Sequence, residues 1–180
     1  MDIQEKSELL HKRFIDGMYQ SFQLRENPGY YDIVFIPMWS NGGIRFNEQK
    51  KRFDICINDD LLTGNYGNLE YTLYHESSHC LHVKYLPLLA KGPAKFRNKI
   101  LGEIITSLSA LIYVERNEDK ETARTFFKYV NSEGQTSIAL FQNINDMDGK
   151  INLLKNLLRN DMKEARPFIT KVIGKNRISI

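Results

Sequence analysis

The sequence predicts an α+β fold, because helical periodicity runs through most of the chain and one β-forming stretch interrupts it early. Apolar residues recur every third or fourth position in residues 3–23 and again in residues 94–115, as on one face of a helix. Between these segments, residues 31–58 contain three short runs rich in β-branched and aromatic residues. We therefore expect an N-terminal helix, a small three-stranded sheet and then helices.

The first helix is predicted over residues 3–23, and the tripeptide Asn27-Pro28-Gly29 ends it with a turn. Its apolar side chains repeat at every fourth position. They are Leu10, Phe14, Met18 and Phe22. His11 lies on the same helix, and we expect it to be exposed to solvent.

Three strands are predicted next. Residues 31–38 are rich in β-formers, and the Ser-Asn-Gly-Gly sequence at residues 40–43 breaks this first strand. Residues 44–47 and 52–58 are predicted to form a hairpin around the polar residues 48–51.

Helices are predicted for most of the remaining chain. The first begins near Asn68, a good N-cap residue, and ends at about Leu86, before Pro87. The second covers residues 94–115. Three further helices are expected at residues 121–130, 136–144 and 149–164.

Length and composition indicate a single globular domain over residues 1–180, with a core at residues 1–116 and a helical part at residues 117–180. Two cysteines provide no disulfide framework, and we expect Cys80 to be a small core residue. No apolar run is long enough to span a membrane, so no membrane partner is expected. The polar N-terminus favours a cytoplasmic location, with a removed signal peptide as the open alternative.

The charge is unevenly distributed along the chain. Residues 150–180 contain eight Lys or Arg and two acidic residues, for a net charge of +6, whereas the whole chain carries +3. A basic tail can bind nucleic acid or an acidic protein. Leucines alternate with the basic residues here, which favours the solvated face of an amphipathic helix. Nucleic-acid binding through residues 150–180 therefore stays a secondary possibility.

The most informative segment is His75-Glu76-Ser77-Ser78-His79, on the first helix predicted after the sheet. On a helix, residues four apart lie on the same face, so two imidazoles at this spacing can bind one metal ion. A glutamate directly after the first histidine lies beside that ion and can polarise a water bound to it. The alternative is a surface helix that carries scattered histidines.

A catalytic zinc site needs a third protein ligand. Glu103 is the best candidate, because it lies at the edge of the apolar face of the helix predicted at residues 94–115. The alternative for Glu103 is an ion pair with Lys99 in solvent. His82 is the alternative third ligand, but it lies about one turn beyond the His75–His79 pair, and the three could not reach one ion unless the helix bent.

These residues resemble the gluzincins, the thermolysin-like zinc peptidases, and the chain is also similar to compact minimal gluzincins and to intracellular bacterial peptidases that cleave repressors. The resemblance covers residues from about 31 to 115. It implies a zincin-like fold in which His75, His79 and Glu103 bind Zn²⁺ and Glu76 is the general base and acid. The sequence has Ser107 where many gluzincins have an aspartate that orients a ligand histidine.

The resemblance implies a zinc metalloendopeptidase that acts on a peptide or protein substrate. In the family, the strand before the motif helix, or its neighbour at the sheet edge, receives an extended substrate, so residues 54–57 or residues 44–46 are the candidates here. The alternative function is a non-catalytic module of zincin fold that binds a metal or a protein.

Overall fold

The computed structural model describes residues 2–22, 27–64, 66–85, 94–132 and 147–158. Over these ranges it contains five α-helices and one three-stranded mixed sheet, which confirms the predicted α+β class. The chain divides into two compact units, Met1–Leu81 and His82–Ile180. The single domain with its division after residue 116 stays a prediction.

The first unit begins with helix α1, Ile3–Phe22. The Asp2 carboxylate accepts a hydrogen bond from the Glu5 backbone N–H at 2.8 Å, and the Glu5 carboxylate accepts one from the Asp2 backbone N–H at 3.2 Å. This reciprocal pair caps the helix start. The strands follow as β1 (Asp32–Ile36), β2 (Gly42–Asn47) and β3 (Arg52–Asn58), within a few residues of the predicted bounds.

Strand β3 lies in the middle of the sheet. It pairs in parallel with β1 and antiparallel with β2, so the predicted β2–β3 hairpin is confirmed. The prediction that residues 54–57 receive a substrate strand is wrong, because both edges of β3 already form ladders with neighbouring strands. The other candidate, residues 44–46, lies in β2, which is an edge strand of the sheet over the described ranges.

Helix α2, Tyr66–Tyr85, carries the His-Glu-x-x-His segment and follows a short 3-10 helix at Asp59–Leu62. Every residue from 71 to 81 is buried, polar and apolar alike. In the first unit α1 contributes Phe14, Ile15 and Met18 to the core, and the Phe14 ring lies 6.1 Å from the Tyr74 ring. A helix buried on all sides holds its side chains in fixed positions, which suits a binding site.

The second unit contains α3 (Ala94–Asn117), α4 (Lys120–Ser132) and α5 (Met147–Leu158). Helix α3 packs against both α4 and α5. The Lys150 ammonium on α5 donates to both carboxylate oxygens of Glu115 on α3, at 2.7 and 2.9 Å. The helix predicted at residues 136–144 and the end of the last predicted helix lie outside the described residues. No described helix is both long and apolar enough to cross a membrane.

Candidate metal centre

The two motif histidines lie together on one face of α2. These two histidines and the intervening Glu76 are almost fully buried, with exposed fractions of 9% for His75, 6% for Glu76 and 8% for His79. The two imidazole rings are 5.2 Å apart and nearly perpendicular, at 84°. The alternative of a surface helix with scattered histidines is therefore wrong. Burial of three ionisable side chains on consecutive turns is costly unless their polar atoms have partners. We therefore expect polar or ionic partners for these three side chains.

Glu76 lies beside the histidine pair. Its Oε2 atom is 3.8 Å from His79 Nε2. A carboxylate at this distance stabilises positive charge on or near the imidazole. On its other side Glu76 faces strand β2, where Gly42 makes a close approach to it. The side chain is thus enclosed between the second imidazole and the edge of the sheet.

Glu103, on α3, is half-buried. One donor atom from each of His75, His79 and Glu103 lies within 4.8 Å of the other two. Three ligand atoms at about 2.0–2.2 Å from a tetrahedral zinc ion lie roughly 3.4 Å apart. Side-chain rotations that move these atoms closer by at most about 1.5 Å would therefore let all three bind one ion. The three atoms offer two nitrogens and one oxygen. The side chains of Lys99 and His82, the partners in the two alternatives, lie outside the described residues.

The other side of α2 is held by a buried histidine. His11 is only 2% exposed, so the prediction that it is solvated is wrong. Its Nε2 atom accepts a hydrogen bond from the Tyr31 backbone N–H at 2.9 Å, so Nδ1 carries the proton and donates to Ser77 Oγ at 2.8 Å. This neutral imidazole connects α1 and the approach to β1 with the turn of α2 between Glu76 and His79.

A signal for His11 was present in the sequence. His11 shares a helical face with Ser7, Phe14 and Met18, all of which are buried. The apolar repeat predicts that the neighbouring Leu10 is buried, but it says nothing about His11. A polar residue on a buried face requires partners, and sequence periodicity does not reveal them.

The buried His11 makes stability depend on pH. Burial lowers the pKa of His11 from 6.5 to about 4, because the charged form is poorly solvated there. Below pH 6.5 the unfolded chain binds a proton that the folded chain does not. The contribution is therefore complete above pH 6.5 and is lost as the pH falls to about 4, with a total of roughly 3 kcal/mol. We expect the free energy of unfolding, measured with urea, to fall over this range.

The matched control is His11→Gln, since glutamine can accept from Tyr31 N–H and has no charged form. The difference between wild type and this variant cancels the contributions that the two proteins share. We expect the wild-type stability to fall more steeply than that of the variant between pH 6.5 and pH 4. Parallel curves for the two proteins would contradict the role of His11.

Both cysteines, Cys56 and Cys80, are buried and free. Burial raises the pKa of the Cys80 thiol, and it raises that of Cys56 as well. Both are therefore protonated at neutral pH, and a protonated thiol is a poor metal ligand. The prediction that Cys80 is a small core residue is confirmed.

The chain was also compared with known proteins. No protein-family model, no curated protein and no solved structure matches it. The function of this chain is therefore inferred from its site alone.

Proposed function

We propose that this chain is a zinc-dependent endopeptidase of zincin-like fold. One observation carries the proposal: donor atoms of His75, His79 and Glu103 lie within 4.8 Å of one another, and Glu76 lies beside them. The two histidines come from successive turns of one helix, and the glutamate comes from another. Such a convergence of three ligand-type residues next to a fourth ionisable group is what a catalytic metal site requires.

The donor set suits zinc. Zinc binds imidazole nitrogen and carboxylate oxygen, and catalytic sites with two histidines and one glutamate leave a fourth position for water or substrate. The two neutral imidazoles and the Glu103 carboxylate give the ligand set a charge of −1. With Zn²⁺ the site carries +1, which the adjacent Glu76 carboxylate balances. A buried site with no net charge avoids most of the cost of burying its ionised groups.

Zinc bound here would supply a Lewis acid that polarises the scissile carbonyl and favours deprotonation of the attacking water. The remaining steps belong to the protein. A Glu76 oxygen accepts the proton of the attacking water, and the same oxygen then delivers it to the nitrogen of the leaving amine. The carboxylate stays in place throughout, because Glu76 is enclosed between His79 and strand β2.

The proposed substrate is a peptide chain in extended conformation. Among the described strands, β2 lies at an edge of the sheet, and its first residue, Gly42, lies against Glu76. A peptide that pairs with the outer edge of β2 would pass the candidate base, and its backbone would receive hydrogen bonds whatever its sequence. Trp39, just before β2, is fully exposed and offers a large apolar surface to such a chain.

The test uses zinc-loaded protein and a pooled library of internally quenched peptides. We expect an increase in fluorescence that stops when 1,10-phenanthroline removes the metal and returns when zinc is added back. Zinc-loaded protein that cleaves none of the pool, while the same peptides quench or shift the fluorescence of Trp39, the chain's single tryptophan, would replace the proposal with the non-catalytic binding module.

A further inference from the structure

Strand β2 approaches the motif helix at Gly42. A β-carbon built on Gly42 would lie 2.7 Å from Glu76 Cγ, 2.8 Å from Glu76 Oε1 and 2.8 Å from Thr72 Cγ2. Non-bonded carbon atoms normally stay about 3.5–4.0 Å apart, so no side chain fits between the strand and the helix here. We infer that Gly42 is a positioning residue, whose missing side chain determines where the Glu76 carboxylate lies. The catalytic meaning of this inference rests on the proposed function.

The glycine is needed for space and not for its backbone freedom. Gly29 is the one described glycine with a left-handed backbone, at φ 90°, whereas Gly42 is an ordinary strand residue paired with Ile57. Alanine adopts that backbone conformation readily. Any effect of an alanine at position 42 therefore comes from its contacts with Glu76 and Thr72.

The strand cannot easily move away from the helix. The Asn58 backbone N–H donates to the carbonyl oxygen of Asn41 at 2.9 Å, and the Asn58 side-chain amide donates to that of Met38 at 3.0 Å. Ser40 Oγ donates to the carbonyl oxygen of Gly42 itself at 2.9 Å. These bonds fix the segment that leads into β2, so a displacement of Gly42 would break several of them.

The helix is equally constrained on the side of Thr72. Its hydroxyl donates to the carbonyl oxygen of Asn68 at 2.8 Å, which fixes the direction of the Thr72 methyl group. Thr72 is also buried, and its β-branched side chain has few alternative rotamers. Glu76 has three rotatable side-chain bonds, so it is the group most able to give way. An alanine at position 42 should therefore displace the Glu76 carboxylate.

The neighbouring glycine is a matched control. A β-carbon built on Gly43 would meet its nearest neighbour, Met38 Cε, at 3.7 Å, which is an ordinary contact. Gly43 belongs to the same strand and pairs with Cys56. Gly43→Ala thus makes the same chemical change one residue away, without the steric conflict.

The deciding experiment is the crystal structure of zinc-loaded Gly42→Ala and Gly43→Ala beside that of the wild type. We expect the Glu76 carboxylate to move away from His79 by on the order of 1 Å in Gly42→Ala and to stay in place in Gly43→Ala. A carboxylate in the same position in all three proteins would overturn the inference. This measurement needs no substrate, so it is independent of the proposed activity.

If Gly42→Ala is too unstable to crystallise, the same change is made in a Glu76→Ala background, which removes two of the three conflicting atoms. We then expect Gly42→Ala to lower Tm less in this background than in the wild type. An equal loss of Tm in both backgrounds would contradict the inference.

Hydrolysis tests the catalytic consequence. With a cleaved peptide from the pool, Gly42→Ala should lower kcat roughly 100-fold, as a base misplaced by about 1 Å would, with little change in KM or zinc content. Gly43 lies on the strand proposed to pair with the substrate, so Gly43→Ala is the reference for an added methyl group there, and kcat of Gly42→Ala should be roughly 100-fold below that of Gly43→Ala. A displaced Glu76 with unchanged kcat would show that Gly42 positions this side chain but that Glu76 is not the base.

Discussion

Replacement of Glu76 by glutamine is expected to abolish peptide hydrolysis while the protein keeps its zinc. Glutamine has the same shape and still accepts a hydrogen bond, but it cannot take a proton from water at neutral pH. General acid–base catalysis contributes about 10²–10⁴-fold, so kcat should fall by at least roughly 100-fold. His75, His79 and Glu103 are unchanged in this variant, and zinc content should therefore match that of the wild type. The measurements are kcat on the peptide pool and zinc by elemental analysis.

The matched control for this variant is Glu70→Gln. Glu70 lies on the same helix, where its carboxylate accepts a hydrogen bond from the Tyr74 hydroxyl at 3.1 Å, and an amide oxygen can accept that bond as well. We expect Glu70→Gln to retain wild-type kcat. Full activity in Glu76→Gln would remove Glu76 from the mechanism.

Removal of zinc is expected to lower the thermal stability of the protein. A ligand that binds only the folded chain stabilises it by about 2.7 kcal/mol at a free concentration of 100 times Kd. For a chain of this size each kcal/mol corresponds to about 2–4 °C, so a chelator should lower Tm by roughly 5–10 °C. Two of the three proposed ligands, His75 and His79, are buried on α2, so the effect should extend beyond local fraying.

The control for this measurement is Glu103→Ala, in which zinc and chelator should give nearly the same Tm. The wild-type Tm is measured by scanning calorimetry at matched ionic strength, with zinc and with excess chelator. A wild-type Tm that is the same under both conditions would mean that zinc does not bind the folded chain at these concentrations.

Local sequence signals predicted the parts of the fold that depend on neighbours in the chain. The end of α2 and the bounds of β3 follow from a proline and a β-branched run, and the structure agrees to within about two residues. The predicted N-cap Asn68 is wrong, because α2 begins at Tyr66 and Asn68 lies inside the helix. The pairing of His75 with His79 follows from helix geometry alone, because residues four apart must share a face. The same periodicity on α3 places Glu103 at the edge of an apolar face and predicts it as the third ligand.

Tertiary contacts were less accessible from the sequence. The order of the strands, with β3 in the middle, is set by a long-range parallel pairing of Ile33 with Ile55, and nothing in either strand's own sequence specifies it. His11 was predicted to be exposed because its partners, Tyr31 and Ser77, lie 20 and 66 residues away. The contact of Gly42 with Glu76 likewise depends on how the sheet packs against α2.

Zinc stoichiometry tests the central claim most directly. The protein is purified untagged and without added metal, and zinc is measured by elemental analysis, with Glu103→Ala and the exposed-site control Glu121→Ala in parallel. We expect one zinc per chain in the wild type and in Glu121→Ala, and weakened or lost zinc in Glu103→Ala. A wild-type protein that contains no zinc and takes up none on titration would contradict the metal centre and the peptidase function proposed from it.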